Sequence, residues 1–418
     1  MKQIILEGGK DLSGTIKISG AKNSVLAIIP AAILSDEGVT IYNVPEISDT
    51  VSIVNIMELL NCQVDIEGET ITIDTNNMKN VLIPEELSRK LRASYYFMGA
   101  LLGKYKKCEM FFPGGCNIGA RPIDFHLKGF EQLGAKVEVD GDKYTIVADK
   151  LTGATIYLDF ASVGATVNLM LAAVRAEGET IINNAAKEPE IVNIATFLNN
   201  MGAKITGAGT SVIKIMGVKE LHKAIIEVIP DRIEAGTYLI IGSLVGKDLK
   251  ITGIIKEHLE ALISKLREMG IKLNVSDTEI IVNKVDNINP INIKTLVYPG
   301  FPTDLGQPMV SLLSQCNGKS IFEETIWENR LGHVPELIKM GANIETKESN
   351  SIIYGKTELH GNEVTATDLR AGAALIAAGL VAKGTTTIND IEHILRGYEN
   401  IIEKLEAVGA KIKVVEIE

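Results

Sequence analysis

Basic residues recur where helices are expected to begin. Six of the nine arginines and one lysine lie at or near such starts: Lys22, Arg92, Arg121, Arg232, Arg330, Arg370 and Arg396. A cation there is unfavourable by about 0.3–1 kcal/mol, because unpaired backbone N–H groups already make a helix start positive. The repetition predicts a bound anion, and guanidinium forks suit phosphate or carboxylate. The alternative is neutralisation by acidic neighbours such as Asp231 and Asp368.

One cysteine lies in a glycine-punctuated segment, FPGGCNIGARPID, which spans residues 112–124. An exposed loop, a following helix start and nearby Arg121 would each favour the thiolate form of Cys116. Its catalytic use and a purely structural role both remain open from spacing alone. The other three cysteines are interpreted as small buried apolar residues: Cys62, Cys108 and Cys316.

Two further residues have both a structural and a functional interpretation. Asp304, in the segment YPGFPTD, is either a helix N-cap or a general base. Trp327 is the only tryptophan, and it is either part of the core or a platform beside a planar ligand.

A repeated helix end organises the chain. A short Met/Leu-Gly-Ala-Lys-like sequence recurs about every 70 residues, with its second residue at Asn61, Gly134, Gly202, Gly270, Gly341 and Gly409. Each copy follows an amphipathic stretch and precedes a segment in which polar and apolar residues alternate. This order predicts a helix, a left-handed cap and a strand. An Ala- and Gly-rich helix lies upstream in each copy and must be buried on all sides. The sequence therefore predicts six small α/β units.

Composition excludes several classes of protein. The 418 residues carry 46% hydrophobic content and a formal net charge of −11, which disfavours disorder and nucleic-acid binding. The N-terminus lacks the pattern of a signal peptide, and the longest weakly polar stretch, residues 371–382, is too short to span a bilayer. We therefore expect a cytoplasmic protein with no membrane contact. The histidines and cysteines form no metal-binding motif, so no metal is expected.

Several motifs, taken together, resemble those of the UDP-N-acetylglucosamine enolpyruvyltransferase family. They cover the whole chain in order: SGAKN at residues 19–23, the cysteine loop, SVGAT at 162–166, FPTD at 301–304, ENR at 328–330 and ATDLR at 366–370. Two departures are Trp327, where phenylalanine is expected, and Asn61-Cys62 in place of Gly-Ala.

The resemblance implies an α/β fold of two inside-out barrels, each with three repeated units, helices inside and sheets outside. One domain would comprise residues 22–229 and carry the Cys116 loop. The other would comprise residues 1–21 and 230–418, because the family's chain crosses between its domains twice. The resemblance places the active site in the cleft between the domains.

The resemblance also implies a reaction. The enolpyruvyl group of phosphoenolpyruvate would move to the 3'-hydroxyl of UDP-N-acetylglucosamine through a tetrahedral ketal, with release of phosphate, as the first committed step of peptidoglycan synthesis. Cys116 would be the general acid and the site of covalent adducts, including those of fosfomycin-type epoxides. Asp304 would be the base, and Lys22 and Arg396 would also be catalytic.

Substrate contacts follow from the same resemblance. The residues implied for phosphoenolpyruvate are Lys22, Asn23, Arg121, Arg330, Arg370 and Arg396. Those implied for the sugar nucleotide are Asn23, Arg92, Arg121, Pro122, Ile123, Asp124, Phe125, Ser162, Val163, Gly164, Asp304 and Ile326. No cofactor is expected, because arginines and helix starts can neutralise the phosphate.

Two alternatives are kept. A sister enolpyruvyltransferase acting on shikimate 3-phosphate shares the six-unit fold but lacks the cysteine loop. A noncatalytic paralogue that only binds the sugar nucleotide would be expected to lack Lys22, Cys116, Asp304 or Arg396, and all four are present.

Overall fold

The chain folds into two compact units. A computed structural model describes residues 2–114 and 123–416. Within these residues, the terminal unit comprises residues 2–19 and 230–416, and the central unit comprises residues 20–114 and 123–229. Each unit has its own hydrophobic core.

The strands are short and recur along the whole chain. In chain order they are β1 (Lys2–Glu7), β2 (Leu12–Lys17), β3 (Val39–Tyr42), β4 (Gln63–Glu67), β5 (Thr70–Asp74), β6 (Lys107–Phe111), β7 (Lys136–Asp140), β8 (Lys143–Val147), β9 (Thr155–Tyr157), β10 (Glu179–Asn183), β11 (Lys204–Thr206), β12 (Val212–Met216), β13 (Ala224–Glu227), β14 (Gly246–Thr252), β15 (Lys272–Val275), β16 (Glu279–Asn283), β17 (Asn292–Lys294), β18 (Lys319–Glu323), β19 (Ile344–Lys347), β20 (Asn350–Tyr354), β21 (Glu363–Thr365), β22 (Thr385–Asn389) and β23 (Lys411–Glu416).

The helices alternate with these strands. They are α1 (Lys22–Ala31), α2 (Ser48–Leu59), α3 (Glu85–Lys90), α4 (Tyr96–Tyr105), α5 (Asp124–Gln132), α6 (Val163–Ala173), α7 (Pro189–Asn200), α8 (Arg232–Val245), α9 (Glu260–Glu268), α10 (Gly306–Leu313), α11 (His333–Lys339), α12 (Leu369–Val381), α13 (Glu392–Leu395) and α14 (Ile401–Ala407). Within the described residues, four short 3-10 helices are also present, at Ala32–Leu34, Arg92–Tyr95, Lys256–Leu259 and Thr303–Leu305. In the described part of the chain, no helix is both long and apolar enough to cross a membrane.

Each unit contains three sheets within the described residues. In the central unit the strand orders are β13-β3-β5-β4, β6-β8-β7 and β11-β12-β10-β9. In the terminal unit they are β15-β16-β14-β2, β17-β18-β20-β19 and β21-β22-β1-β23. Each four-stranded sheet has one parallel pair, as in β9 with β10, and otherwise antiparallel pairs. The N-terminal strand β1 pairs with β22 and β23, from the other end of the chain.

This topology repeats one α/β unit six times, as the sequence predicted. In its full form, a strand leads through an inner helix to a parallel strand, and an outer helix then leads to an antiparallel pair, as in β9-α6-β10-α7-β11-β12 and β17-α10-β18-α11-β19-β20. In other copies one strand comes from a distant part of the chain, as in the parallel pairs of β2 with β14 and of β13 with β3. The predicted left-handed helix caps are confirmed in all six units. The φ angles are 62° at Asn61, 97° at Gly134, 105° at Gly202, 83° at Gly270, 99° at Gly341 and 106° at Gly409.

The Ala- and Gly-rich helices lie inside, as predicted. In the terminal unit α8, α10 and α12 pack against one another, and α8 is buried from Ile233 to Val245. Glycines in two of these helices also allow close contact with neighbouring segments. A Cβ added to Gly372 would lie 2.2 Å from the side chain of Ile394, and one added to Gly236 would lie 2.5 Å from that of Leu305.

A buried acidic residue in α8 makes the stability of the terminal unit depend on pH. Glu234 accepts from the Lys404 ammonium at 2.6 Å and from the Ser19 backbone N–H at 2.8 Å. Burial raises the pKa of its carboxyl to about 7, although Lys404 acts in the opposite direction. The folded state therefore holds a proton on Glu234 at pH values where the unfolded chain, with a pKa near 4.5, has lost it.

The sign of this effect gives a prediction for Glu234→Gln. A raised carboxyl pKa stabilises the fold at low pH, and this contribution is lost as pH rises from about 4.5 to about 7. Between pH 5 and 8 the wild-type free energy of unfolding should fall by about 2–3 kcal/mol more than that of Glu234→Gln. Urea unfolding at the two pH values measures the difference. The exposed Glu403→Gln serves as control and should follow the wild type.

Candidate active site

Asp304 lies between two buried arginines in the terminal unit. Its Oδ1 accepts from Arg330 Nη2 at 2.6 Å, and its Oδ2 accepts from Arg370 Nη2 at 3.3 Å. The two arginine side chains are 5% and 4% exposed, and the Asp304 side chain is 24% exposed. The carboxylate of Asp304 therefore binds the two guanidinium groups. The interpretation of Asp304 as a helix N-cap is wrong, because Pro302 is the N-cap of the 3-10 helix that contains Asp304, and no side chain caps that helix.

The acidic neighbours of the helix starts cap backbone amides. Asp368 Oδ1 accepts from the N–H groups of Arg370 and Ala371, at 2.8 and 3.0 Å. Asp231 Oδ1 likewise accepts from the backbone N–H groups of Ile233 and Glu234, at 2.8 and 3.0 Å. Each carboxylate therefore caps the start of its own helix, and the charge of Asp231 also helps to raise the pKa of Arg370.

One nitrogen donor on each of the two arginines lacks an acceptor. Arg330 Nε and Arg370 Nη1 are buried and have no hydrogen-bond partner among the described residues. Buried polar groups are almost always hydrogen-bonded, so an orphaned guanidinium N–H marks a place for an acceptor. The fork geometry suits an oxyanion.

The two arginines also set the protonation of Asp304. Burial alone would raise the pKa of this carboxyl, but Arg330, Arg370 and Arg232 together hold it well below its usual range. Arg370 is in turn stabilised as a cation, with its pKa raised by Tyr398 and Asp304 despite burial. An ionised Asp304 accepts protons poorly while both arginines pair with it.

Two other predicted basic residues also lie in the terminal unit. Arg232 is the first residue of α8, as predicted, and its guanidinium lies 5.4 Å from the centre of the Tyr298 ring. Arg396 directly follows α13, and α14 begins only at Ile401. Arg396 therefore lies in the turn that leads into α14, five residues before that helix begins.

Lys22 begins α1 in the central unit. Its Nζ lies 2.8 Å from Asp49 Oδ2, and the two side chains are 12% and 4% exposed. The helix has no side-chain cap and no acidic residue in its first turn. Ser24 Oγ donates instead to Asn193 Oδ1 at 2.5 Å, while neighbouring Asn23 is exposed. The start of α1 is thus held by the contacts of Lys22 with Asp49 and of Ser24 with Asn193, and no side chain caps its backbone amides.

Three of the segments predicted to contact the sugar nucleotide lie close together in the central unit, whereas Asp304 and Ile326 belong to the terminal unit. Arg92 begins a 3-10 helix and lies 5.6 Å from the ring centre of Tyr95. A Cβ on Gly164 would lie 2.8 Å from the Tyr95 hydroxyl and 3.0 Å from His126 Cε1, so a larger residue would force these side chains to shift. Ser162 caps α6 next to Gly164, with Val163 as the first residue of the helix.

The third of these segments, residues 121–125, is described from Ile123. Ile123 is the N-cap of α5, and the helix begins with Asp124 and Phe125. His126, two residues further on, is held by Asn168 at 2.8 Å, and burial lowers its pKa to about 3. His126 is therefore neutral at pH 7, and its ring packs against Tyr95 and Gly164 of the other two segments.

Three predicted site residues lie outside the described residues: Cys116, Arg121 and Pro122. The interpretation of the other cysteines is confirmed. Cys62, Cys108 and Cys316 are buried, and burial raises the pKa of each thiol to about 12. Within residues 2–114 and 123–416, no cluster of three or more candidate metal ligands is present.

The sequence did not predict the polar residues that support the candidate site residues through hydrogen bonds and ion pairs. Asp49 and Asn193 support α1, and Gln307 donates to the Arg330 carbonyl and to Asp368, both at 3.0 Å. These residues occupy ordinary helix positions, and nothing in their local pattern distinguishes them from surface polar residues.

Comparison with known proteins identifies the family. The family model for EPSP synthase (3-phosphoshikimate 1-carboxyvinyltransferase) matches residues 6–405. UDP-N-acetylglucosamine 1-carboxyvinyltransferase 2 of Listeria monocytogenes is 50% identical over 410 residues, which cover 98% of this chain and 97% of the relative. The chain belongs to the enolpyruvyl transferase family.

Other matches also extend over the whole chain, at different levels of identity. UDP-N-acetylglucosamine 1-carboxyvinyltransferase 1 of Streptococcus agalactiae is 51% identical over 418 residues, covering all of both chains. The crystal structure of the enolpyruvyl transferase NikO from Streptomyces tendae superposes with a TM-score of 0.90 at 26% identity, covering 100% of this chain and 99% of that one. EPSP synthase from Acinetobacter baumannii, at 17% identity and a TM-score of 0.77 over both full chains, shows the shared fold.

Proposed function

We propose that this enzyme transfers the enolpyruvyl group of phosphoenolpyruvate to the 3'-hydroxyl of UDP-N-acetylglucosamine and releases phosphate. The observation that carries the proposal is the 50–51% identity, over 98–100% of the chain, to enzymes named for this sugar nucleotide. The orphaned guanidinium N–H groups beside Asp304 support it independently, because phosphoenolpyruvate supplies phosphate and carboxylate acceptors.

Phosphoenolpyruvate would be bound by the basic residues of both units. Arg330 and Arg370 offer their free donors to its carboxylate end. Lys22, at the uncapped start of α1, joins Asn23, Arg121 and Arg396 around its phosphate. As the anion takes over the guanidinium groups, the pKa of Asp304 rises, since its two counter-charges are then shared.

The chemistry needs one acid and one base, and no metal or cofactor is invoked. Cys116 gives a proton to the methylene carbon of phosphoenolpyruvate, and the sugar hydroxyl oxygen bonds to the central carbon as Asp304 accepts the hydroxyl proton. A tetrahedral ketal results. Loss of phosphate and of one proton from the new methyl group then restores the carbon–carbon double bond in the product.

The sugar nucleotide would contact residues of both predicted domains, 22–229 and 1–21 with 230–418. The proposed contacts are Asn23, Arg92, Arg121, Pro122, Ile123, Asp124, Phe125, Ser162, Val163, Gly164, Asp304 and Ile326. In cells the product would be the first committed intermediate of peptidoglycan synthesis, a cytoplasmic step on which cell shape and division depend.

Product identification tests the proposal. Purified enzyme with phosphoenolpyruvate and UDP-N-acetylglucosamine should give stoichiometric phosphate and an enol ether whose vinyl protons are visible by NMR. Because the matching family model is named for the 3-phosphoshikimate reaction, shikimate 3-phosphate is the necessary alternative acceptor. Binding of the sugar nucleotide without any phosphate release would instead favour a noncatalytic role.

A further inference from the structure

Glu324 is a buried acidic residue with no part in the proposed chemistry. It directly follows β18 in the terminal unit and is 3% exposed. Its two carboxylate oxygens accept four hydrogen bonds from three different segments of the chain. A buried carboxylate with so many donors fixes the geometry of those segments, because each would lose a partner if the carboxylate moved.

The first oxygen holds the segment that carries Ile326. Glu324 Oε1 accepts from the backbone N–H of Ile326 at 2.7 Å and from that of Trp327 at 3.2 Å. The Thr295 hydroxyl donates to the same oxygen at 2.9 Å. Oε1 thus folds the chain after β18 into a tight turn and ties it to the end of β17.

The second oxygen reaches the arginine pair through one hydroxyl. Thr303 Oγ1 donates to Glu324 Oε2 at 2.8 Å, so its lone pairs are left to accept. Arg330 Nη1 donates to that hydroxyl at 2.8 Å, and Arg330 Nη2 donates to Asp304. The direction of the Thr303 proton is therefore set by Glu324, and the plane of the Arg330 fork follows from it.

We propose that Glu324 is a positioning residue that orients Arg330 for phosphoenolpyruvate, through Thr303, and the Ile326 turn for the sugar nucleotide. The inference rests on the proposed function. It differs from a general structural role because the two oxygens serve different substrates, and Thr303 separates their effects.

Substitutions at the two positions should have different kinetic signatures. Glu324→Gln replaces one acceptor oxygen with a donor and should lower kcat/KM for phosphoenolpyruvate about 10- to 100-fold, with an increased KM for UDP-N-acetylglucosamine. Thr303→Val removes the hydroxyl that joins Glu324 Oε2 to Arg330 and leaves the hydrogen bonds to Glu324 Oε1 in place. It should lower kcat/KM for phosphoenolpyruvate similarly and leave the KM for the sugar nucleotide within about twofold. Thr303→Ser keeps the hydroxyl and should restore most of the activity.

The neighbouring glutamate provides a matched control. Glu323 is partly exposed and pairs with Lys294 at 2.9 Å, so Glu323→Gln should leave both KM values within about twofold. The test measures steady-state phosphate release by the wild type and all four variants. Thermal unfolding of each protein is measured in parallel. Equal kinetics for Glu324→Gln and Glu323→Gln, or for Thr303→Val and Thr303→Ser, would overturn the inference alone. A wild type that transfers nothing to the sugar nucleotide would overturn the proposed function, and the inference with it.

Discussion

Asp304→Asn is expected to lower kcat at least about 100-fold while phosphoenolpyruvate binds more tightly. The loss of turnover follows from removal of the proposed base. The tighter binding follows from the geometry, because Asp304 now occupies donors of both Arg330 and Arg370 that an anionic substrate needs. Rapid-quench turnover and calorimetric titration of phosphoenolpyruvate measure the two effects separately.

The same substitution should destabilise the protein in a way that anions reverse. It leaves two buried guanidinium groups without their counter-charge, and with Asp304 24% exposed we expect a loss of about 2 kcal/mol. Phosphate should therefore raise the melting temperature of Asp304→Asn by more than that of the wild type. If phosphate raised the melting temperature of both proteins equally, or if Asp304→Asn bound phosphoenolpyruvate more weakly than the wild type, Asp304 would not compete with the substrate for these arginines.

Cys116→Ala is expected to lower phosphate release about 10²- to 10⁴-fold, the usual contribution of a general acid. Cys116→Asp should retain activity, because a carboxylic acid can donate the same proton. The other three cysteines are buried with strongly raised pKa values, so we expect an epoxide of the fosfomycin type to attack none of them.

Mass spectrometry and phosphate release together test the cysteine assignment. The epoxide should add once per chain to the wild type and to the control Cys316→Ala, and not at all to Cys116→Ala or Cys116→Asp. If Cys116→Ala kept its activity, the proton donor would have to be another residue. If the epoxide labelled Cys116→Ala, one of the buried thiols would have to be more accessible than its burial indicates.

The repeated architecture could be predicted from the sequence because it depends on local features of each helix and its cap. The outer helix of each copy of the repeat is followed by one left-handed residue, which leaves a regular series of five glycines and Asn61 in the sequence. Each inner helix is surrounded by protein, so it is apolar on all sides, as in α12. Such patterns repeat with the unit and need no knowledge of which units are neighbours.

The site was only partly readable because it depends on contacts between units of the repeat. Asp304, Arg330 and Arg370 were each predicted, but their pairing arises where the starts of α10 and α12 and the turn before α11 converge. Spacing along the chain does not encode that convergence. Asp49 and Glu324 were missed for the same reason, since their significance lies in Lys22 and Thr303, which come from other segments.

Acceptor choice tests the central proposal most directly. Phosphate release from phosphoenolpyruvate should be measured in parallel with UDP-N-acetylglucosamine and with shikimate 3-phosphate, for wild type and Cys116→Ala. The proposal predicts release with the sugar nucleotide only, and its loss in the variant. Release with shikimate 3-phosphate and none with UDP-N-acetylglucosamine would contradict it.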